Sequence, residues 1–75
     1  MVKSQYPGIS GKKMISLLIK HYQATVVSQR WSHIKISLPS AIKTIVPDHK
    51  ALDYGTFNGI LKQLNISEIQ FLKLL

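Results

Sequence analysis

The sequence predicts a two-layer α+β fold: a helix, a three-stranded antiparallel sheet, a second helix and a short final helix. Three observations carry this expectation. Apolar residues recur at helical spacing near both ends of the chain. Between them lie β-branched and alternating stretches bounded by turn residues. The alternation leaves the sheet one apolar face, which two amphipathic helices are expected to cover.

The elements follow in order. Residues 1–8, "MVKSQYPG", read as a lead-in closed by the Pro7-Gly8 turn signal. No apolar core follows its lysine, so no signal peptide is expected. Ser10 offers an N-cap for a helix over Gly11 to Tyr22. Met14, Leu17 and Leu18 form its buried stripe, widened by Ile15, Ile19 and Tyr22, while Lys13, Ser16 and Lys20 face water. "ATVVSQ" is short and β-branched, hence a strand. "HIKISL" alternates strictly: Ile34, Ile36 and Leu38 share one face, and His33, Lys35 and Ser37 the other. After Pro39-Ser40-Ala41, "IKTIV" makes a third strand that Pro47 stops. Asp53 caps the next helix, with Phe57, Ile60, Leu61 and Leu64 on its apolar stripe. Gly55 and Gly59 weaken that helix, and Asn65 ends it in the left-handed conformation. "SEIQ", Ser67 to Gln70, is a capping box that opens a last helix through "FLKLL".

Seventy-five residues make one domain, 1–75, with a thin core. There is no cysteine, so no disulfide or zinc–thiolate staple is available. The apolar runs fall short of the roughly 20 residues a membrane span needs, and no membrane partner is expected. Ten Lys+Arg against three Asp+Glu give a formal net charge of +7. Such a surface suits a polyanion, nucleic acid foremost, or an acidic protein.

Three histidines compete for a chemical role. His21 sits at a helix C-terminus, where a cation is favoured in any case. His33 shares a strand face with Lys35, and Arg30 lies in the adjoining turn. Its ordinary titration range suits proton transfer near neutrality. His49 lies in the loop "VPDHK", at a distance the sequence does not set. With no cysteine, three acids and no paired histidines on one element, neither a metal nor another cofactor is expected. Ser32 and His33 are strand neighbours pointing to opposite faces, which argues against a serine nucleophile. RNA chemistry asks for less. The 2′-hydroxyl is the nucleophile, a base and an acid move its proton, and cations stabilise the charged phosphorus. A lone exposed histidine is more often a surface residue without a task, so the residues alone leave both readings open.

The arrangement resembles the HicA toxin family of prokaryotic toxin–antitoxin pairs, from Ile9 to Leu75. Four stretches carry the likeness: "SGKKMISLLIKH" as the opening helix, "QRWSHIKI" as the Gly-Ser-His turn, "TIVPDHKALDYGTF" as the Val-Pro-x-His, Leu-x-x-Gly-Thr segment, and "ILKQLNIS" as the closing segment. The resemblance implies a double-stranded-RNA-binding-domain-like α-β-β-β-α fold. It implies metal-independent cleavage of messenger RNA in a prokaryotic cytoplasm, arresting translation, with His33 as the catalytic residue. It also implies a HicB-type antitoxin that covers His33. His49 matches the second histidine position and is held as a secondary contact. Arg30, Lys35 and Lys43 are the expected phosphate contacts. The family's glycine before Ser-His is here Trp31. Tryptophan adopts a glycine-type turn only at a cost, so an altered turn is one expectation. The Trp31 ring has three readings: stacking on an RNA base, anchoring the antitoxin, or folding back over the core. Two other functions fit the same charge: a non-catalytic RNA-binding module, and a basic adaptor for an acidic protein.

Overall fold

The computed structural model describes residues 6–75, so the first five residues of the expected lead-in lie outside the described residues. Helix α1 (Gly11–Tyr22) is followed by strands β1 (Thr25–Arg30), β2 (His33–Ser37) and β3 (Lys43–Pro47), then helix α2 (Tyr54–Gln63) and short helix α3 (Glu68–Leu72). The strands form one antiparallel sheet in the order β1-β2-β3. The expected α+β architecture is what is found.

Each helix starts where a side chain satisfies one of its free amides. Ser10 accepts from the Lys13 amide, Asp53 from Thr56 and Ser67 from Gln70. The ends use left-handed residues: Gln23 follows α1 at φ 56°, and Asn65 lies just beyond α2 at φ 59°. The last helix stops at Leu72 rather than running through "FLKLL". Its apolar interior anchor is Phe71, which is fully buried, while Ile69 and Leu75 remain exposed. Five residues give little helical stability of their own, so α3 ends where its packing ends.

The core joins Met14, Leu17 and Leu18 of α1 to Ile34 and Ile36 of β2, Val46 of β3, and Phe57, Ile60, Leu61 and Leu64 around α2. Thr44 is the one polar residue on this buried face of β3, and its hydroxyl donates to the Gln63 side-chain oxygen. Tyr6 stacks on Phe57 with centroids 4.3 Å apart and donates its hydroxyl to the Leu52 carbonyl. That burial raises the Tyr6 phenol above its ordinary value.

Two expectations are corrected in detail. Ile19 is 45% exposed, because it lines an open groove between α1 and the β1 edge of the sheet, with Val26 and Gln29 across from it. Leu38 is only partly buried, because the strand ends one residue before it. For the same geometric reason all six residues of β1 are exposed: the helices cover the other two strands and leave this edge open.

At Gly11 the start of α1 lies close against the end of β3. A Cβ there would meet the Pro47 carbonyl oxygen at 1.9 Å, a backbone atom that cannot rotate away. Gly59 is the opposite case, with open space around its missing Cβ. Gly11→Ala is therefore expected to destabilise the fold by about 1–3 kcal/mol. Gly59→Ala is expected to stabilise it by about 1 kcal/mol. Paired thermal or urea denaturation of the two variants measures both signs.

Candidate functional site

The helix-free face of the sheet is assembled by strand register. Arg30 lies opposite His33 and Ser28 opposite Lys35. Across β2 and β3, Lys35 faces Ile45, Ser37 faces Lys43 and His33 faces Pro47. A β-irregularity between Val26 and Ser28 sets this arrangement. Val27 is the extra residue, so Thr25, Ser28 and Arg30 share the open face although their spacing breaks simple alternation.

These side chains line a cavity of about 470 Å³ formed by Ser28, Gln29, Arg30, His33, Lys35 and Ile45. Three of the expected site residues, Arg30, His33 and Lys35, thus meet in one place. Lys43 lies on the same face, one strand further along, and does not line the cavity. Among the described residues, no carboxylate enters it. All three acids of the chain are engaged elsewhere. Asp48 pairs with Lys12 at 3.9 Å, Asp53 caps α2, and Glu68 accepts from Tyr54 and Asn58. The cavity is therefore cationic and unneutralised.

Trp31 and Ser32 form the two-residue loop between β1 and β2. Trp31 keeps the turn by adopting φ 55°, at the position where a II′ hairpin turn prefers glycine. The tryptophan itself takes the positive φ and bears its strain. The ring does not fold over the core but stands 84% exposed, with the Arg30 guanidinium carbon 5.7 Å from its centroid.

The loop after β3 is drawn to the same end of the molecule. The Asp48 amide donates to the Ser32 carbonyl at 2.7 Å, and the Gly11 amide donates to the His49 carbonyl at 2.9 Å. His49 is exposed and does not line the cavity. It lies near Asp53, whose carboxyl is held below the ordinary range chiefly by the Thr56 amide and hydroxyl, with His49 adding.

Ser28, Gln29 and Ile45 were not picked out by sequence reasoning. Alternation in "IKTIV" already places Ile45 with Lys43, opposite Thr44 and Val46. Ser28 could not be placed without the bulge.

Helices on one face and a histidine among cations on the other define a small basic α+β domain with its chemistry on the open sheet. A family model described as the HicA toxin of bacterial toxin-antitoxin matches residues 11–66, and the chain belongs to that family. Its role is that of a toxin, and the family implies pairing with an antitoxin. No curated protein and no solved structure matches the chain significantly. Among the described residues, no helix is long and apolar enough to cross a membrane.

Two predictions follow from this geometry. Trp31→Gly removes a left-handed penalty of about 1–2 kcal/mol for an L-residue. It adds about 0.5–1 kcal/mol of glycine chain entropy. Since the ring is almost wholly turned to solvent, the variant is expected to melt at the same temperature or a few degrees higher, read by calorimetry. The second concerns Asp53. Its folded value lies below its unfolded one, so its stabilisation is complete above the ordinary carboxylate range. It is lost as the pH falls through the lowered folded value. Asp53→Asn keeps a neutral cap. The stability advantage of the wild type over this variant should therefore vanish on acidification, measured by denaturation at stepped pH.

Proposed function

We propose that this toxin is a metal-independent endoribonuclease that cuts messenger RNA and inhibits translation, with His33 as general acid/base. The observation that supports it most is the cavity holding His33 between Arg30 and Lys35 with no carboxylate. A phosphate is attracted to such a site and a metal is not, since the three acids are committed to Lys12, a helix cap and Tyr54.

In the proposed reaction the RNA 2′-hydroxyl attacks the neighbouring phosphorus. The 2′-O–P bond forms and the P–O5′ bond breaks, leaving a 2′,3′-cyclic phosphate and a free 5′-hydroxyl. The imidazole of His33 takes the 2′-hydroxyl proton or supplies the one that the departing 5′-oxygen needs, and solvent water carries the other. Arg30 and Lys35 stabilise the charge that gathers on the phosphoryl oxygens, and Lys43 extends the cationic track to the next phosphate. Trp31 and, further out, His49 contact the flanking RNA. A HicB-type antitoxin inhibits by covering His33. The proposed location is the prokaryotic cytoplasm, where the message is.

A second reading, a non-catalytic RNA-binding module, has one observation in its favour: His33 is the only histidine, and there is no carboxylate, among the residues lining the cavity. One assay separates the two. RNA is incubated with wild type and His33→Ala in the presence of a chelator, and both proteins are checked for folding by circular dichroism. Cleavage by the wild type, reduced about 10²–10⁴-fold in the variant, supports the nuclease. Binding of RNA without product by both proteins establishes the binding module instead. Binding itself should weaken steeply with salt, as each neutralised phosphate releases counterions.

A further inference from the structure

We propose that Trp31, backed by Arg30, is a stacking platform for an unpaired nucleotide beside the phosphate in the His33 cavity, so that this toxin acts only at single-stranded sites. The inference rests on the nuclease reading for what happens at His33, but the platform is argued independently of it.

The ring sits at the tip of the hairpin, one residue from Arg30 and two from His33. Among the described residues it is the most exposed of the large apolar side chains, and it is held in a backbone conformation that costs energy. The fold gains little from it, since the ring is almost wholly turned to solvent. The turn beneath it is tied by two hydrogen bonds. The Trp31 carbonyl accepts from the Gln29 side chain at 3.4 Å, and the Ser32 carbonyl accepts from the Asp48 amide at 2.7 Å. The Arg30 guanidinium lies near the ring and bridges it to the cavity that Arg30 also lines. An electron-rich ring on a hydrogen-bonded turn, next to a cation and a cationic cavity of about 470 Å³, fits a nucleobase whose own phosphate enters that cavity.

Such a platform needs a base with a free face. In a duplex both faces of each base are covered by neighbours, and the A-form grooves do not admit a flat ring against them. Stacking also tolerates any base, so the platform selects strandedness and not sequence. Trp31 acts as a binding residue, holding the strand beside His33 through one base.

Trp31 is the sole tryptophan, so its fluorescence reports on this site alone. The probe is a 2′-O-methyl RNA of about ten nucleotides, which has no free 2′-hydroxyl and is not cut. The single strand is expected to quench Trp31. The same strand annealed to its complement should need at least roughly tenfold more RNA for the same quenching. By anisotropy of a labelled strand, Trp31→Gly should bind roughly tenfold more weakly or worse, and Trp31→Phe should recover most of the loss. On a cleavable single strand, Trp31→Gly should raise KM and leave kcat within a factor of a few. The proposal is overturned by strand binding that leaves the fluorescence unchanged, by equal quenching from duplex, or by a response only to the antitoxin, which would make the ring a protein anchor. If the wild type cuts no RNA, the nuclease reading fails, while quenching by the single strand still decides the platform.

Discussion

The bulge at Val27 is the constraint on which the rest of the open face depends. Before it, Thr25 pairs with Ser37 and Val26 with Ile36; after it, Ser28 pairs with Lys35 and Arg30 with His33. Without the extra residue the register would place Gln29 opposite His33 and turn Arg30 toward the hairpin tip. A one-residue slip exchanges the two faces of a strand. Here that exchange is made inside β1, and it converts a half-apolar edge strand into one that delivers a guanidinium to the imidazole. Bulges re-aim side chains in this way at a small cost in ladder bonds.

The bulge would be of little use if the neighbouring turn were loose. The turn is secured from the far side of the sheet: β3 runs past His33 at Pro47, and the next amide, Asp48, bonds back to Ser32. The same stretch packs against the start of α1, where Gly11 leaves room for the Pro47 carbonyl and donates to the His49 carbonyl. The start of α1, the end of β3 and the hairpin are thus one knot. The strain at Trp31 persists because this knot holds the turn more firmly than the residue's own preference opposes it.

Much of this was legible in the residues. Helix spacing marked Met14, Leu17 and Leu18 as core, and the strict alternation of "HIKISL" put His33 and Lys35 on the open side, because both signals reflect local geometry that every residue repeats. The capping residues Ser10, Asp53 and Ser67 were equally plain, since each answers a free amide one turn away. Three things were not legible. The bulge depends on pairing with a strand outside the segment, so "TVVSQR" alone reads as simple alternation. The exposure of Ile19 and of all β1 depends on where α1 lies across the sheet, which its own periodicity does not encode. The conformation of Trp31 reversed a propensity argument: tertiary contacts around Ser32 overrode the residue's preference for negative φ.

The confinement of the acids has an effect at long range. Asp48, Asp53 and Glu68 all sit in the loop and helices that follow β3, while Arg30, Lys35 and Lys43 stand on the sheet without a counter-charge. The open sheet therefore carries positive charge with no acid of its own, and it draws an approaching anion within a Debye length of about 8–10 Å at ordinary ionic strength. Two anionic surfaces in competition for this face would be sorted first by arrival rate and only later by fit.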